Sequence, residues 1–581
     1  MRRHLAAASG QGPSATPCDC HAPTLLEQDD IIIAVRGSPS LPPRELLLAY
    51  RERDAGLLQS LTGSFALAIV DRSRRRVLLA IDRMGIERLA YSVRADGIVF
   101  SSSVAAVAHC PAVGAGLRSQ ALYEFLLLHM VPAPGTVYEG VDKLRAGTCV
   151  IYEDGRARTQ RYWAPRFAAT ADAPLPVLEE ELRNSLTAAV ADCHPDASTG
   201  AFLSGGLDSS TIAGLLGAVS SRPPRTFSIG FGVAAYDEMK YAGIANRHFG
   251  AIASEYQVTP DDIVTAIPLI AGAFDEPFGN SSAVPTYFCA KLAADAGVTH
   301  LLAGDGGDEL FGGNERYVRQ RLFEAYWQLP AGLRRSLIEP VSRWIAPESR
   351  IMPLRKFRSY VDQARIPMPE RLESWNLVYR TDPDVMLEPG FRRAIDPRAP
   401  FASMDEVYRG TAAATLLDRM QGFDWQYTLS DNDLRKVGVM CRAAGVRVSF
   451  PMLDQRVIDL SLRVPARLKL RGMKLRTFYK RAMDGFLPAA IIAKTKHGFG
   501  LPFGDWLRTH RGLADLVYGL LADLKRRHIV RGAFVDELID GHRTGHASYF
   551  GYAIWDLAML EAWLQQQAMR GAADPRPADR E

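Results

Sequence analysis

The sequence predicts an α/β protein of at least two domains: a β-rich α+β unit first, then a parallel sheet covered by helices, then a largely helical C-terminal part. Three observations carry this prediction. Apolar, β-rich runs separated by turn signals crowd the first 160 or so residues. From about residue 176, helix-like and strand-like segments alternate, the pattern of a parallel sheet covered on both faces. Beyond about residue 315 strand signals almost vanish, and amphipathic helical stretches run on to YAIWDLAMLEAWLQQQAM at 552–569. A chain of 581 residues is also too long for one core.

Residues 1–28 read as a flexible start. The first domain, 29–167, opens with IIIAV (31–35), SFALAIVD (64–71) and RVLLAID (76–82), each apolar and β-prone. IVFSSS (98–103), a helical LYEFLLLHM (122–130) and a hairpin follow, with Asp154-Gly155 as turn chemistry in TCVIYEDGRARTQRYW. The Ala- and Pro-rich AATADAPLP marks the boundary near 168–176. The second domain, 176–570, runs VLEEELRNSLTAAVADC, GAFLS, SSTIAGLLGAV, RTFSIGF, MKYAGIANRHFG and SEYQV, with a further unit in AKLAADAGVTHLLAGDGGDELF. The final GAADPRPADRE, 571–581, reads as a disordered tail.

Lys and Arg number 69 against 65 Asp and Glu, a formal charge of +4 without a basic block, so composition points away from nucleic acid. No window of about eighteen apolar residues occurs, since Glu124 and His129 break ALYEFLLLHMV; no membrane span and no membrane partner are expected. The start lacks a secretory h-region, which makes the cytoplasm the default compartment. Seven scattered cysteines do not form a disulfide framework and read as reduced thiols. Cys18, Cys20 and His21 have no second pair at zinc spacing.

The chemistry concentrates in two turns. In GAFLSGGLDSS a strand ends at Ser204, Gly205 and Gly206 permit a tight turn, and Asp208, Ser209 and Ser210 start a helix. Such a turn aims amide N–H groups and a positive helix end at one point, which suits a pyrophosphate; no Gly-Lys-Ser/Thr follows, so it is not the usual NTPase loop. Alone, the stretch has a structural loop as its lesser alternative reading. About a hundred residues on, LLAGDGGDELFGG (301–313) repeats strand-then-turn with Asp305, Asp308 and Glu309. Turns at the carboxyl ends of neighbouring parallel strands face one crevice. Asp208 and Asp308 are therefore candidates to hold Mg²⁺, which binds through one or two carboxylates plus substrate phosphates. RGMKLRTFYKRAM places Lys474, Arg476 and Lys480 around a helix start, and AKTKHGFGLPFGDWL carries Lys494 and Lys496. Singly each reads as a solvated basic face; together they suit an anionic reaction.

The order SGGLDSS, FSIGFG with YDEMKYA, FDEPFGNSSAVPTY, GDGGDELFGG, VRVSFPMLD, KLRTFYKRA and KHGFGLP closely resembles the synthetase domain of the asparagine synthetase family, over roughly 176–570. LTGSFALAIVDRSRRRVLLAIDRMGIERLAYSV and VPAPGTVYEGVDKLRAGTCVIY resemble that family's glutamine amidotransferase domain. The resemblance implies an amidotransferase-like sandwich followed by a PP-loop, adenine nucleotide alpha hydrolase-like domain, and an ATP- and Mg²⁺-dependent ligase. It implies activation of a small-molecule or peptide carboxylate as an acyl-adenylate, with attack by ammonia or a substrate amine; aspartate is the family's default acid. Ser204, Gly205, Gly206, Asp208, Ser209 and Ser210 match its pyrophosphate motif, and Leu203, Ile229, Ala303 and Gly304 its nucleotide contacts. Lys474 joins the phosphate-facing group. Asp208 and Asp308 match the metal ligands, Asp305 an acid near the reacting amine, and Lys496 a lysine that stabilises the adenylate. A homodimer is compatible with the family.

The sequence departs from the family in places. It begins Met1-Arg2-Arg3 where glutamine-dependent members begin Met-Cys-Gly, and it has AVRGSPSLPP and PPRELLLAY where they show Asn-Gly-Glu and Asp-Thr-Glu. Loss of glutaminase activity is the expectation. Arg447 and Ser449 stand where the family has Glu and Arg, as substrate contacts or as loop-shaping residues. Degenerate first domains also mark β-lactam synthetases and lasso-peptide cyclases, so a specialised amide ligase or cyclase is the alternative, and a non-catalytic nucleotide-binding descendant a second.

Overall fold

The computed structural model describes residues 23–95, 97–233, 236, 238–346, 351–495 and 500–573. Cys18, Cys20, His21, Lys496 and the tail from residue 574 lie outside the described residues. The first domain carries β1 (Thr24–Gln28), β2 (Ile31–Pro39), β3 (Gly63–Asp71), β4 (Arg76–Ile81), β5 (Ala90–Arg94), β6 (Gly97–Ser101), β7 (Asp142–Lys143), β8 (Thr148–Glu153) and β9 (Arg156–Arg161). One antiparallel sheet runs β1-β2-β3-β4-β8-β9 and a second β6-β5-β7. β1 lies within the start expected to be flexible through residue 28: Leu26 and its neighbours pair in register with Ile33 and β2, giving the sheet an outer strand.

Side chains alternate faces along a strand, and β3 uses both. Phe65, Leu67 and Ile69 pack with Leu46, Leu47 and Tyr50 of the helix Pro43–Arg53. Ala66 and Ala68 face the other way, joining Leu79, Ile81 and Val150 against Leu89 and Tyr91 near the second sheet. The result is the two-sheet sandwich the resemblance implies. Asp154 and Gly155, at φ 50° and 77°, make the expected hairpin turn between β8 and β9.

The second domain carries β10 (Thr199–Phe202), β11 (Arg225–Gly230), β12 (Ile252–Gln257), β13 (His300–Leu302) and β14 (Arg447–Ser449). The sheet order is β12-β11-β10-β13-β14, and every pairing is parallel. The chain reverses its direction of travel across the sheet between β10 and β13, and at such a switch point the following turns part to leave a crevice. Beyond β13 the chain is helical apart from β14, up to a last helix, Ala547–Ala573, that extends into the stretch expected to be a loose tail.

One apolar cluster runs through both domains, from Leu122, Phe125 and Val131 to Trp555 and Trp563. Two buried ionic knots cross the same boundary. Glu276 accepts from Lys143 Nζ at 2.6 Å, Arg435 Nη1 at 2.8 Å and the Val137 amide at 3.1 Å. Burial pushes its carboxyl up, but the two cations hold it below the usual range. Arg88 Nη1 donates to Asp431 at 3.0 Å, and Arg88 also reaches the Ser430 carbonyl. Breaking a buried, hydrogen-bonded pair of this kind strands the remaining charge, so these contacts fix one domain against the other.

Candidate active site

β10 gives way at Ser204 to a turn that only glycine suits at its centre: Gly205 has φ +70°, and a Cβ there would meet the Tyr241 backbone at 2.5 Å. Ser204 and Ser209 brace it, Oγ to Oγ at 3.1 Å, with the Gly206 amide donating to Ser204 Oγ at 3.3 Å. The helix Leu207–Ser220 then starts with no side-chain cap, leaving its first N–H groups for an outside acceptor. After β13 the second turn passes through Gly304, where a Cβ would lie 2.8 Å from the Ser209 nitrogen. The glycines let the two turns touch, which brings Asp208 against Asp308.

Between these carboxylates sits one guanidinium. Arg476 Nη1 donates to Asp208 Oδ2 at 2.6 Å and to Asp308 Oδ1 at 3.0 Å, and Nη2 donates to Asp208 Oδ1. Arg476 is left-handed at φ 57°, precedes the helix Thr477–Ala482, and lies 4.4 Å from the Tyr479 ring centre. Burial opposes its charge, but Asp208 and Asp308 outweigh that and hold it firmly protonated. Two carboxylates converging on one cation beside an amide-rich turn is the donor set Mg²⁺ takes when phosphates complete its shell, so the pair fits the implied metal.

Asp305 lies on the same turn. Burial lifts its carboxyl to about 6; Lys436 opposes the shift, while Asp433 and Asp208 reinforce it. Lys436 Nζ donates to Asp433 at 2.8 Å. Lys494 Nζ stands 2.8 Å from Glu238 Oε1 and 4.6 Å from the Tyr241 ring centre. Beneath the second turn, fully buried Lys469 donates to Gln421 Oε1 at 3.2 Å, and Gln421 Nε2 donates to the carbonyls of Glu309 and Leu310 at 2.6 and 3.0 Å. This chain props the helix Gly307–Phe311 that bears Asp308.

The two turns, Arg476, Asp433, Lys436, Glu238 and Lys494 open on one cavity of about 1670 Å³. Of the sequence candidates, Leu203, Ser204, Gly206, Asp208, Ser209, Ile229, Gly304, Asp305, Asp308 and Lys474 line it. Gly205 and Ala303 shape the turns from behind, Ala303 through its amide to the Ser449 carbonyl at 2.9 Å. Ser210 is fully buried behind the first turn, its Oγ without a hydrogen-bond partner among the described residues. Arg447 and Ser449 are not cavity-lining. Arg447 Nη2 lies 3.1 Å from His300 Nδ1, and His300 Nε2 2.9 Å from Ser449 Oγ. Burial and Arg447 lower that imidazole to about 4, so it is neutral, with Nδ1 accepting and Nε2–H donating.

Sequence reasoning missed Asp433, Lys436, Glu238 and Lys469 as parts of the site and did not see that Arg476 joins the two aspartates. Asp433 and Lys436 sit three apart in DNDLRKVGV, which looks like a solvated helix face.

An amidotransferase-like sandwich locked to a parallel-sheet domain with this crevice defines an ATP-dependent amide-forming ligase. Residues 181–565 match the asparagine synthase model and residues 44–163 the glutamine amidotransferase domain model. The chain belongs to the asparagine synthase family. It is 29% identical over 533 residues to putative glutamine-hydrolysing asparagine synthetases of Mycobacterium bovis and Mycobacterium tuberculosis, covering 89% of this chain and 78% of each relative. It is 24% identical over 526 residues to asparagine synthetase 1 of Bacillus subtilis, covering 89% of this chain and 80% of that one.

Proposed function

We propose that the enzyme activates a carboxylate as an acyl-adenylate and passes the acyl group to ammonia or to an amine on the substrate. A carboxylate oxygen attacks the α-phosphorus of ATP, pyrophosphate leaves, the amine adds to the acyl carbon, and AMP departs with the former carboxylate oxygen. The observation that carries this reading is the contact of the two turns, with uncapped amides on one side and paired Asp208 and Asp308 on the other.

In this reading the first-turn amides, Ser204 and Ser209 hold the pyrophosphate, Leu203, Ile229 and Gly304 contact the nucleotide, and Lys474 faces the phosphates. Asp208 and Asp308 hold Mg²⁺, which supplies positive charge to the phosphates. Arg476 is the cation these carboxylates keep when nucleotide is away. Asp305, at about 6, is matched to taking a proton from an attacking amine near neutral pH. Lys496 stabilises the adenylate by its place in the family's motif.

One feature favours an amine other than one released from glutamine: the altered stretch around Arg36 is tied up in a pair with Glu87 at 3.0 Å. Aspartate is the default acid. A larger carboxylate is the second reading, favoured because Arg447 and Ser449, which stand where the family has Glu and Arg, are engaged by His300 and do not line the cavity. The test is carboxylate-dependent exchange of labelled pyrophosphate into ATP across candidate acids, with products from ammonia and glutamine compared by mass spectrometry. No exchange with any acid, by protein shown to bind ATP, would overturn adenylation.

A further inference from the structure

We infer that the three-helix unit between residues 315 and 364 carries a docking face for the surface of an anionic lipid bilayer. Its helices close on a small core of Phe323, Tyr326, Val361 and Ala364. Much of their apolar surface points outward instead. Half of the exposed large apolar side chains among the described residues fall between Leu322 and Phe357. A patch this dense on a soluble chain marks a contact surface.

The central helical stretch, 331–344, organises this surface. Leu333, Leu337, Val341 and Trp344 follow one another at intervals of four, four and three, which sets them on one stripe of the helix. All four are exposed, Trp344 at 89%, whereas Ser342, on the opposite side, is buried. Arg334 and Arg343 flank the stripe, Arg334 stacked 4.5 Å from the Trp327 ring centre. Across the unit, described Lys and Arg outnumber Asp and Glu by more than two to one.

An apolar stripe with a terminal tryptophan and arginine rims is what an interfacial helix presents to a lipid surface. Charge selects the occupant. A second copy docked by a two-fold would set arginine rim against arginine rim, whereas an anionic headgroup layer complements both rims and stripe. No described helix is long and apolar enough to cross a membrane, so this contact is peripheral; it departs from the sequence expectation of no membrane partner. The helix Glu315–Trp327 also contributes Val318, Arg319 and Leu322 to the cavity wall, so docking would bring the cavity mouth to the lipid surface.

The experiment is sedimentation of the full chain with vesicles of phosphatidylcholine containing about a third phosphatidylglycerol, against phosphatidylcholine alone. Binding at least about tenfold greater on the anionic vesicles is expected, weakening in high salt, with a blue shift of tryptophan fluorescence. The double variant L337E/V341E and the single variant R343E should each lose about tenfold in binding while keeping the wild-type melting temperature and pyrophosphate exchange. Three results would overturn the inference: no association with anionic vesicles, equal association of both variants, or a dimer in ultracentrifugation that L337E/V341E splits without any vesicle binding.

Discussion

Both domains set aspartates beyond the ends of strands, and they use them differently. In the sandwich, Asp82 follows β4 and accepts from four backbone amides, those of Phe65, Met84, Ile86 and Glu87, at 2.9 to 3.3 Å. In the parallel-sheet domain Asp208 and Asp308 share the guanidinium of Arg476. Backbone donors cannot leave without unfolding the loop, whereas a side-chain cation can swing aside for another cation. The first arrangement builds structure and the second keeps a charged site in reserve.

The widest gap between the two regions should come from Asp308→Asn. Pyrophosphate exchange falls about a thousandfold, roughly 4 kcal/mol of transition-state stabilisation, while the melting temperature moves little. Exchange at the wild-type rate would remove Asp308 from the site. Next is Arg476→Met, which leaves two carboxylates facing each other. About 3 kcal/mol of stability is lost in denaturant unfolding without divalent cation, and added Mg²⁺ restores part of it. No recovery with Mg²⁺ would count against displacement of the guanidinium by metal.

Asp82→Ala should show the opposite profile: roughly 2 kcal/mol of stability lost, through amides left without an acceptor, with exchange intact in the folded fraction. The narrowest effect, confined to a pH window, concerns Asp305. Burial raises its folded pKa to about 6 from an unfolded value near 4, so the folded state binds its proton more tightly. Its contribution to stability is complete below about pH 4 and is lost as pH climbs through 6. In Asp305→Asn, about 3 kcal/mol of that pH-dependent loss should disappear from unfolding curves. A curve parallel to wild type between pH 4 and 6 would contradict the raised carboxyl.

The sheet domain was legible because two periodicities, two and 3.6, alternate cleanly there, and because glycines mark where the turns approach each other. What escaped notice depends on distance in sequence. β14 is three residues long, too short for a period to register. Arg476 owes its position to a left-handed backbone in a stretch that reads as the lead-in to a helix, and its partners lie 268 and 168 residues away. Asp433 and Lys436 face the cavity only because their π-helical neighbourhood, Trp425–Leu434, is pinned from the other domain through Arg88 and Asp431. Lys469 is invisible for a related reason: a lysine in VPARLKLRG reads as surface, yet it lies fully buried under the acidic turn.

The central claim is that the acid is activated on the α-phosphorus. Turnover with a carboxylate substrate labelled with ¹⁸O in both oxygens tests it directly. AMP carrying one ¹⁸O together with unlabelled pyrophosphate is the expected result. ADP with the label in inorganic phosphate would instead mean an acyl phosphate, and would contradict it.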